Sequence, residues 1–154
     1  MRVLFLDIDG VLISQDSMLD KMPTFSIDES RYGDKLSKPA TDLLFEIIKQ
    51  YDFKVVLSSS WRLHELDLDL VDQLFAMYRQ ELYDVTSDFG VYSQSKLQRE
   101  DEIQAWVDKH PEVTQFIYLE DDARDTLKDH LVKTNWQHGL LPEHKDRIKE
   151  IMGE

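Results

Sequence analysis

Apolar positions along the chain switch period in a regular rhythm. Val3 to Leu6 is a run of four apolar residues, Phe53, Val55, Val56 and Leu57 form a second run, and Phe116 to Leu119 a third. Short runs that are apolar at nearly every position predict strands buried on both faces, as in a parallel sheet covered by helices. Between the runs the period lengthens. Leu43, Leu44, Ile47, Ile48 and Tyr51 recur at helical spacing behind Pro39, a residue suited to a first helical turn. The spacing predicts further helices over about His64 to Gln80, from Ser95 to His110 and from about Pro142, and a strand over Leu131 to Thr134. Ser95 with Gln98 makes a capping box, and Pro111 stops that helix. Strands separated by helices in this order predict an α/β fold, a doubly wound parallel sheet flanked by helices, as a single domain over residues 1–154.

One segment breaks the rhythm. Ser14 to Lys38 is polar and too short to bury a core of its own. It is therefore expected to be a lid, a small hairpin or a flap inserted at 14–38, not a separate cap domain. Phe25, Arg31, Tyr32, Lys35 and Lys38 give it a basic and aromatic rim.

The strand ends carry the chemistry. The first strand runs into Asp7-Ile8-Asp9-Gly10, the second into Ser58-Ser59-Ser60-Trp61-Arg62, and the third into Glu120-Asp121-Asp122-Ala123-Arg124-Asp125. Open parallel sheets hold ligands beyond the carboxyl ends of their strands. Asp7 and Asp9 are two apart and project to one side of an extended chain, and Gly10 lets the backbone turn away. Acids gathered at a strand end call for a hard divalent cation with oxygen ligands. Lys96 and Arg99 stand at a helix start, where a cation opposes the helix dipole by ~0.3–1 kcal/mol. That mismatch hints that the charge is needed. Hydroxyls, a base and acids, each at an element boundary, make one site from four loops.

In these four motifs the chain resembles the haloacid dehalogenase (HAD) superfamily. Asp7, Asp9 and Gly10 match its first motif, Ser58 to Ser60 the second, Lys96 or Arg99 the third, and Glu120, Asp121 and Asp125 the fourth. The Ser-Ser-Ser-Trp-Arg string, the spacing of Arg99, Ile103 and Trp106, and Gly139-Leu140 are similar to a capless branch found in RNA-repair proteins. The resemblance implies a Rossmannoid phosphatase in which Asp7 is the nucleophile and Asp9 the general acid and base. An acid at position nine favours phosphoryl transfer over dehalogenation. It further implies Mg²⁺ held by Asp7, the Asp9 carbonyl and Asp121, with Glu120 and Asp125 as further acids of the fourth motif. Ser59 or Ser58 is expected to bind the phosphate, and Arg99 or Lys96 to neutralise it. Gly10, Ser60, Trp61 and Arg62 are expected to contribute to substrate binding, with Ser60 alternatively serving only as a helix cap. Trp61 could stack on a base and Arg62 bind a second phosphate, or the pair could be structural. The expected substrate is a nucleotide or nucleic-acid-terminal phosphate. The alternatives are a small-metabolite phosphatase and an inactive binding module of the same fold. A receiver domain also forms an aspartyl-phosphate, but its acid pair and its phosphoacceptor lie on different strands.

Composition narrows the partners. A formal net charge of −13, from 31 acids against 18 Lys and Arg, opposes strong binding to long nucleic acid, which depends on cations neutralising phosphates. It equally disfavours an anionic membrane surface. Absence of cysteine removes disulfides and thiolate ligands, and the five histidines show no metal-ligand spacing. With no signal peptide or membrane span read from the sequence, a cytoplasmic monomer is expected.

Overall fold

Residues 1–28, 35–87 and 97–153 are described by the computed structural model, the side chains of Leu97 and Gln98 excepted. Along the chain run β1 (Arg2–Leu6), α1 (Gln15–Met18), β2 (Thr24–Phe25), β3 (Leu36–Ser37), α2 (Lys38–Tyr51) and β4 (Lys54–Leu57). Then follow α3 (Glu65–Met77), β5 (Asp84–Val85), α4 (Leu97–Asp108), β6 (Gln115–Glu120), β7 (Leu131–Lys133) and α5 (His144–Met152), with 3-10 turns at Ser60–Leu63 and Asp125–His130. Five strands form one sheet in the order β5-β4-β1-β6-β7, every pairing parallel. This is the α/β architecture, a parallel sheet flanked by helices, expected from the pattern, and no cap domain is seen among the described residues.

Alternation within the strands assigns each residue to a side of the sheet. Leu4, Leu6, Val55, Leu57, Ile117 and Leu119 join Leu44, Ile47 and Ile48 of α2, Leu74 and Phe75 of α3, and Ile148 and Met152 of α5 in one large cluster. Val3, Phe5, Val56, Phe116 and Tyr118 meet Ile103 and Trp106 of α4 in a smaller one. The register then positions the chemistry. Leu6 pairs with Leu57 on one side and with Leu119 on the other. The three central strands thus reach those positions level, and the next residues, Asp7, Ser58 and Glu120, fall in a row.

Local signals explain the element ends. The Ser37 hydroxyl accepts from the Ala40 N–H, Pro39 sits in the first turn, and α2 closes on Asp52 in the left-handed region (φ 55°). In the polar segment, Ser14 and Ser17 cap α1 reciprocally, and β2 pairs antiparallel with β3, Phe25 opposite Leu36. Within 14–38, then, the described residues contain a two-stranded antiparallel pair. Arg31, Tyr32, Ser95 and Lys96 lie outside the described residues. The two-residue edge strand β5 was not expected from the sequence, because two residues carry no periodicity. Among the described residues no helix is long and apolar enough to cross a membrane.

Candidate active site

Asp7, Glu120 and Asp121 each bring a carboxylate oxygen to within 4.8 Å of the other two. Asp7 and Glu120 are both 5% exposed. Gly10 makes the approach possible. Its φ is +83°, and a Cβ there would lie 2.2 Å from Cγ of Asp121. The Thr134 hydroxyl donates to the Gly10 carbonyl at 2.6 Å, while the Thr134 N–H donates to the Glu120 carbonyl at 3.1 Å. The first and fourth motif loops are thereby tied together from the end of β7.

Arg99, near the start of α4, spans the acids. Its Nη1 lies 3.2 Å from Asp7 Oδ1 and 2.5 Å from Glu120 Oε2. Burial pushes the Asp7 carboxyl up from its ordinary range, and Arg99 opposes that push. Burial, followed by the neighbouring Asp7, pushes Glu120 up to about 10, again with Arg99 opposing. Three carboxyl groups face one guanidinium in a cluster of hard oxygens, and burial makes the ionised forms of Asp7 and Glu120 depend on added positive charge. Mg²⁺ is bound octahedrally at 2.0–2.1 Å, which sets adjacent ligand oxygens roughly 3 Å apart. The donor type of this cluster fits that ion, with its oxygens within 4.8 Å of one another.

The serine loop is held from behind. Ser58 donates both its N–H (2.9 Å) and its hydroxyl (3.2 Å) to the Leu6 carbonyl. The Ser59 hydroxyl accepts from the Trp61 N–H at 3.1 Å and caps the 3-10 turn, a role that Ser60, the exposed first residue of that turn, does not take. Trp61 is buried, and its indole N–H donates to Asp9 Oδ2 at 3.4 Å.

Arg62 departs from the substrate-binding expectation. Its guanidinium donates to the carbonyls of Ser58, Ser59 and Thr86 and pairs with Glu102. The two side chains are only 5% and 6% exposed. With its donors spent on the protein, Arg62 clamps the serine loop to β5 and to α4, three residues from Arg99. Trp61 likewise packs into the core and orients Asp9 instead of presenting a ring for stacking. Asp125 is outside the acid cluster, in the first turn of the 3-10 helix Asp125–His130. Asp9 is exposed and turned toward Trp61, so its side chain is not among the three clustered acids. Arg99 reaches Asp7, whereas Lys96 lies outside the described residues. Glu102 and Thr134 carry no motif of their own. Glu102 could have been suspected only from its spacing, three residues beyond Arg99 on one helix face.

The fold and the four-loop constellation define a HAD-type domain. The chain belongs to the family of HAD domains in Swiss Army Knife RNA repair proteins, whose model matches residues 3–144. Among solved structures, a chain in the structure of the Pnkp1/Rnl/Hen1 complex is similar over 89% of this chain, with 15% identity and a TM-score of 0.49. The match covers 46% of that chain's own length. No curated protein matches.

Proposed function

We propose that the chain is a Mg²⁺-dependent phosphohydrolase that removes a terminal phosphate from a nucleotide or nucleic-acid end through an aspartyl-phosphate on Asp7. The observation that carries the reading is the cluster of Asp7, Glu120 and Asp121 spanned by Arg99 at the level ends of the central strands. The family's occurrence in RNA repair proteins supports the substrate class.

Each residue has a role its surroundings can support. An Asp7 oxygen attacks phosphorus as the bond to the leaving oxygen breaks, dividing one difficult displacement into two. Asp9 as the acid gives the leaving alkoxide its proton. As the carboxylate it then takes a proton from the water that attacks the aspartyl-phosphate, and inorganic phosphate departs. The Trp61 N–H fixes the direction of that carboxylate. Arg99 neutralises phosphoryl oxygens and Asp7 together. Of the serines, Ser59 is the better phosphate donor: its hydroxyl accepts from Trp61 and keeps its proton to give, whereas that of Ser58 is committed to Leu6. The side chains of Asp7, Asp121 and Glu120 with the Asp9 carbonyl would hold Mg²⁺, which supplies charge neutralisation for the transferring phosphoryl group.

The test is phosphate release from a panel of nucleotides, sugar phosphates and 3′- or 5′-phosphorylated oligonucleotides. Release should require Mg²⁺, stop on chelation, and disappear in Asp7→Asn. Asp9→Asn should slow it by roughly 10²–10⁴. Turnover that survives either chelation or Asp7→Asn overturns the mechanism. Preference for sugar phosphates over every nucleotide keeps the mechanism and moves the substrate to small metabolites.

A further inference from the structure

We infer that Trp136 is a stacking platform for a nucleobase of the substrate, carried at the carboxyl edge of the sheet by the turn that follows β7. The inference rests on the phosphatase reading for its choice of ligand. The chain has three tryptophans, and two are buried with the indole N–H on a carboxylate, Trp61 on Asp9 and Trp106 on Asp84. Trp136 is 46% exposed.

That exposure sits on a firmly held turn. The Gly139 N–H donates to the Asn135 carbonyl at 2.8 Å, and the His138 N–H to the Asn135 side chain at 2.8 Å. The Trp136 carbonyl accepts from the Gln15 N–H (2.8 Å), that of Gln137 from the Asp16 N–H (3.0 Å), and the Leu140 N–H donates to the Val11 carbonyl (2.9 Å). The His138 ring meets the Asp16 carboxylate at 2.7 Å. Gly139, at φ +68°, lies so close to the first motif loop that a Cβ would stand 2.7 Å from the Val11 carbonyl. The backbone that carries the ring is held before a ligand arrives, which lowers the entropy cost of binding.

Position and charge select the ligand. Trp136 is two residues from Thr134, whose hydroxyl bonds the Gly10 carbonyl beside Asp121. Two residues of chain span at most ~7 Å, so the platform stands at the carboxyl edge where this class of sheet binds ligands. In a chain of net −13 overall charge opposes a polyanion, which gives weight to a contact that does not depend on charge. Among the described residues, Lys35 is paired with Asp20 at 2.6 Å, Lys38 with Asp42 at 2.5 Å, and Arg62 is buried against Glu102. Stacking on an aromatic face is independent of net charge and tolerant of base identity.

The test titrates the full chain, carrying Asp7→Asn to block turnover, with a 3′-phosphorylated pentaribonucleotide and with an abasic pentamer of equal charge. Adding Trp136→Ala should raise Kd for the base-bearing probe by about tenfold or more. Trp136→Phe should recover most of that loss. The abasic probe should respond much less to either change, and the salt dependence should stay as it was, because no phosphate contact is removed. Unchanged Kd for the base-bearing probe, equal loss on the abasic one, or no binding of either probe overturns the platform. Failure of the two readings is distinguishable. Phosphate release by the wild-type chain with binding indifferent to Trp136 removes only the platform. Base-dependent binding that Trp136→Ala abolishes, with no phosphate release from any substrate, removes only the phosphatase.

Discussion

The two faces of the central sheet are built from different chemistry. On one, α2, α3 and α5 press aliphatic and aromatic side chains onto Leu4, Leu6, Val55, Leu57, Ile117 and Leu119. On the other, α4 contributes Ile103 and Trp106 to the core while carrying Arg99, with Glu100 and Glu102 buried. Trp106 meets Phe5 edge-on at 5.6 Å, and Phe5 meets Phe116 at 5.8 Å, so a few large rings hold that side together. Strand alternation decides which face receives the acids. Asp7 continues the parity of Val3 and Phe5, and Glu120 that of Phe116 and Tyr118. Both fall to the side where Arg99 waits. The larger apolar cluster lies under the aliphatic face, and the charged groups under the thin one, where burial shifts carboxylates and leaves a demand for positive charge.

If that division is real, the faces should respond oppositely to mutation. The largest effect is kinetic: Asp7→Asn should abolish phosphate release while the thermal midpoint of unfolding stays close to wild type. Next is Arg62→Ala, which leaves the buried Glu102 carboxylate without its guanidinium and should cost about 3–5 kcal/mol in urea unfolding. Because the same guanidinium holds the Ser58 and Ser59 carbonyls, kcat should fall with it. Leu44→Ala, at a fully buried position on the aliphatic face, should cost about 2–5 kcal/mol through its cavity. Its kcat should be near normal in the fraction that remains folded. A Leu44 variant that loses turnover while folded, or an Arg62 variant that loses neither stability nor rate, would break the comparison.

Legibility in the sequence follows the same line. Periodicity exposed the strands of the sheet other than β5 because burial makes them apolar at nearly every position, as at Val3 to Leu6. The acids were legible because Asp7, Asp9, Glu120 and Asp121 stand at the ends of those runs. What periodicity cannot show is where a side chain points once the loops fold. Arg62 reads as a cation beside a phosphate-binding loop, yet its three backbone acceptors come from residues 58, 59 and 86, and only tertiary structure brings position 86 there. Asp125 has the spacing of a fourth-motif ligand, but a 3-10 turn carries it away from the cluster. Ser59 and Ser60 are identical in type and differ only in which of them starts the turn.

The smallest effect sharpens the comparison most. Glu100 is buried on the thin face, with Oε1 accepting from the Arg124 N–H at 3.3 Å. Its Oε2 and the Tyr118 hydroxyl are buried without a hydrogen-bond partner among the described residues. Burial raises the Glu100 carboxyl above its ordinary range, and burial followed by the charge of Glu100 raises Tyr118. The sign follows from linkage. A carboxyl whose pKa is higher in the folded state binds its proton more tightly there, so stability from this group is fully present below the unfolded value of about 4.3. It is lost as pH rises from there through the folded value. Glu100→Gln keeps an oxygen for Arg124 and replaces the other with an uncharged donor. It should therefore stabilise the fold at pH 7 by about 1 kcal/mol, the scale of relieving a buried unsatisfied group. The gain should fade as pH falls through the raised folded value toward the ordinary glutamate value. Urea unfolding of both proteins from pH 4 to 8 measures it. A constant difference across that range would mean that Glu100 acts through packing alone, and destabilisation at pH 7 would mean that its charge is compensated on the thin face after all.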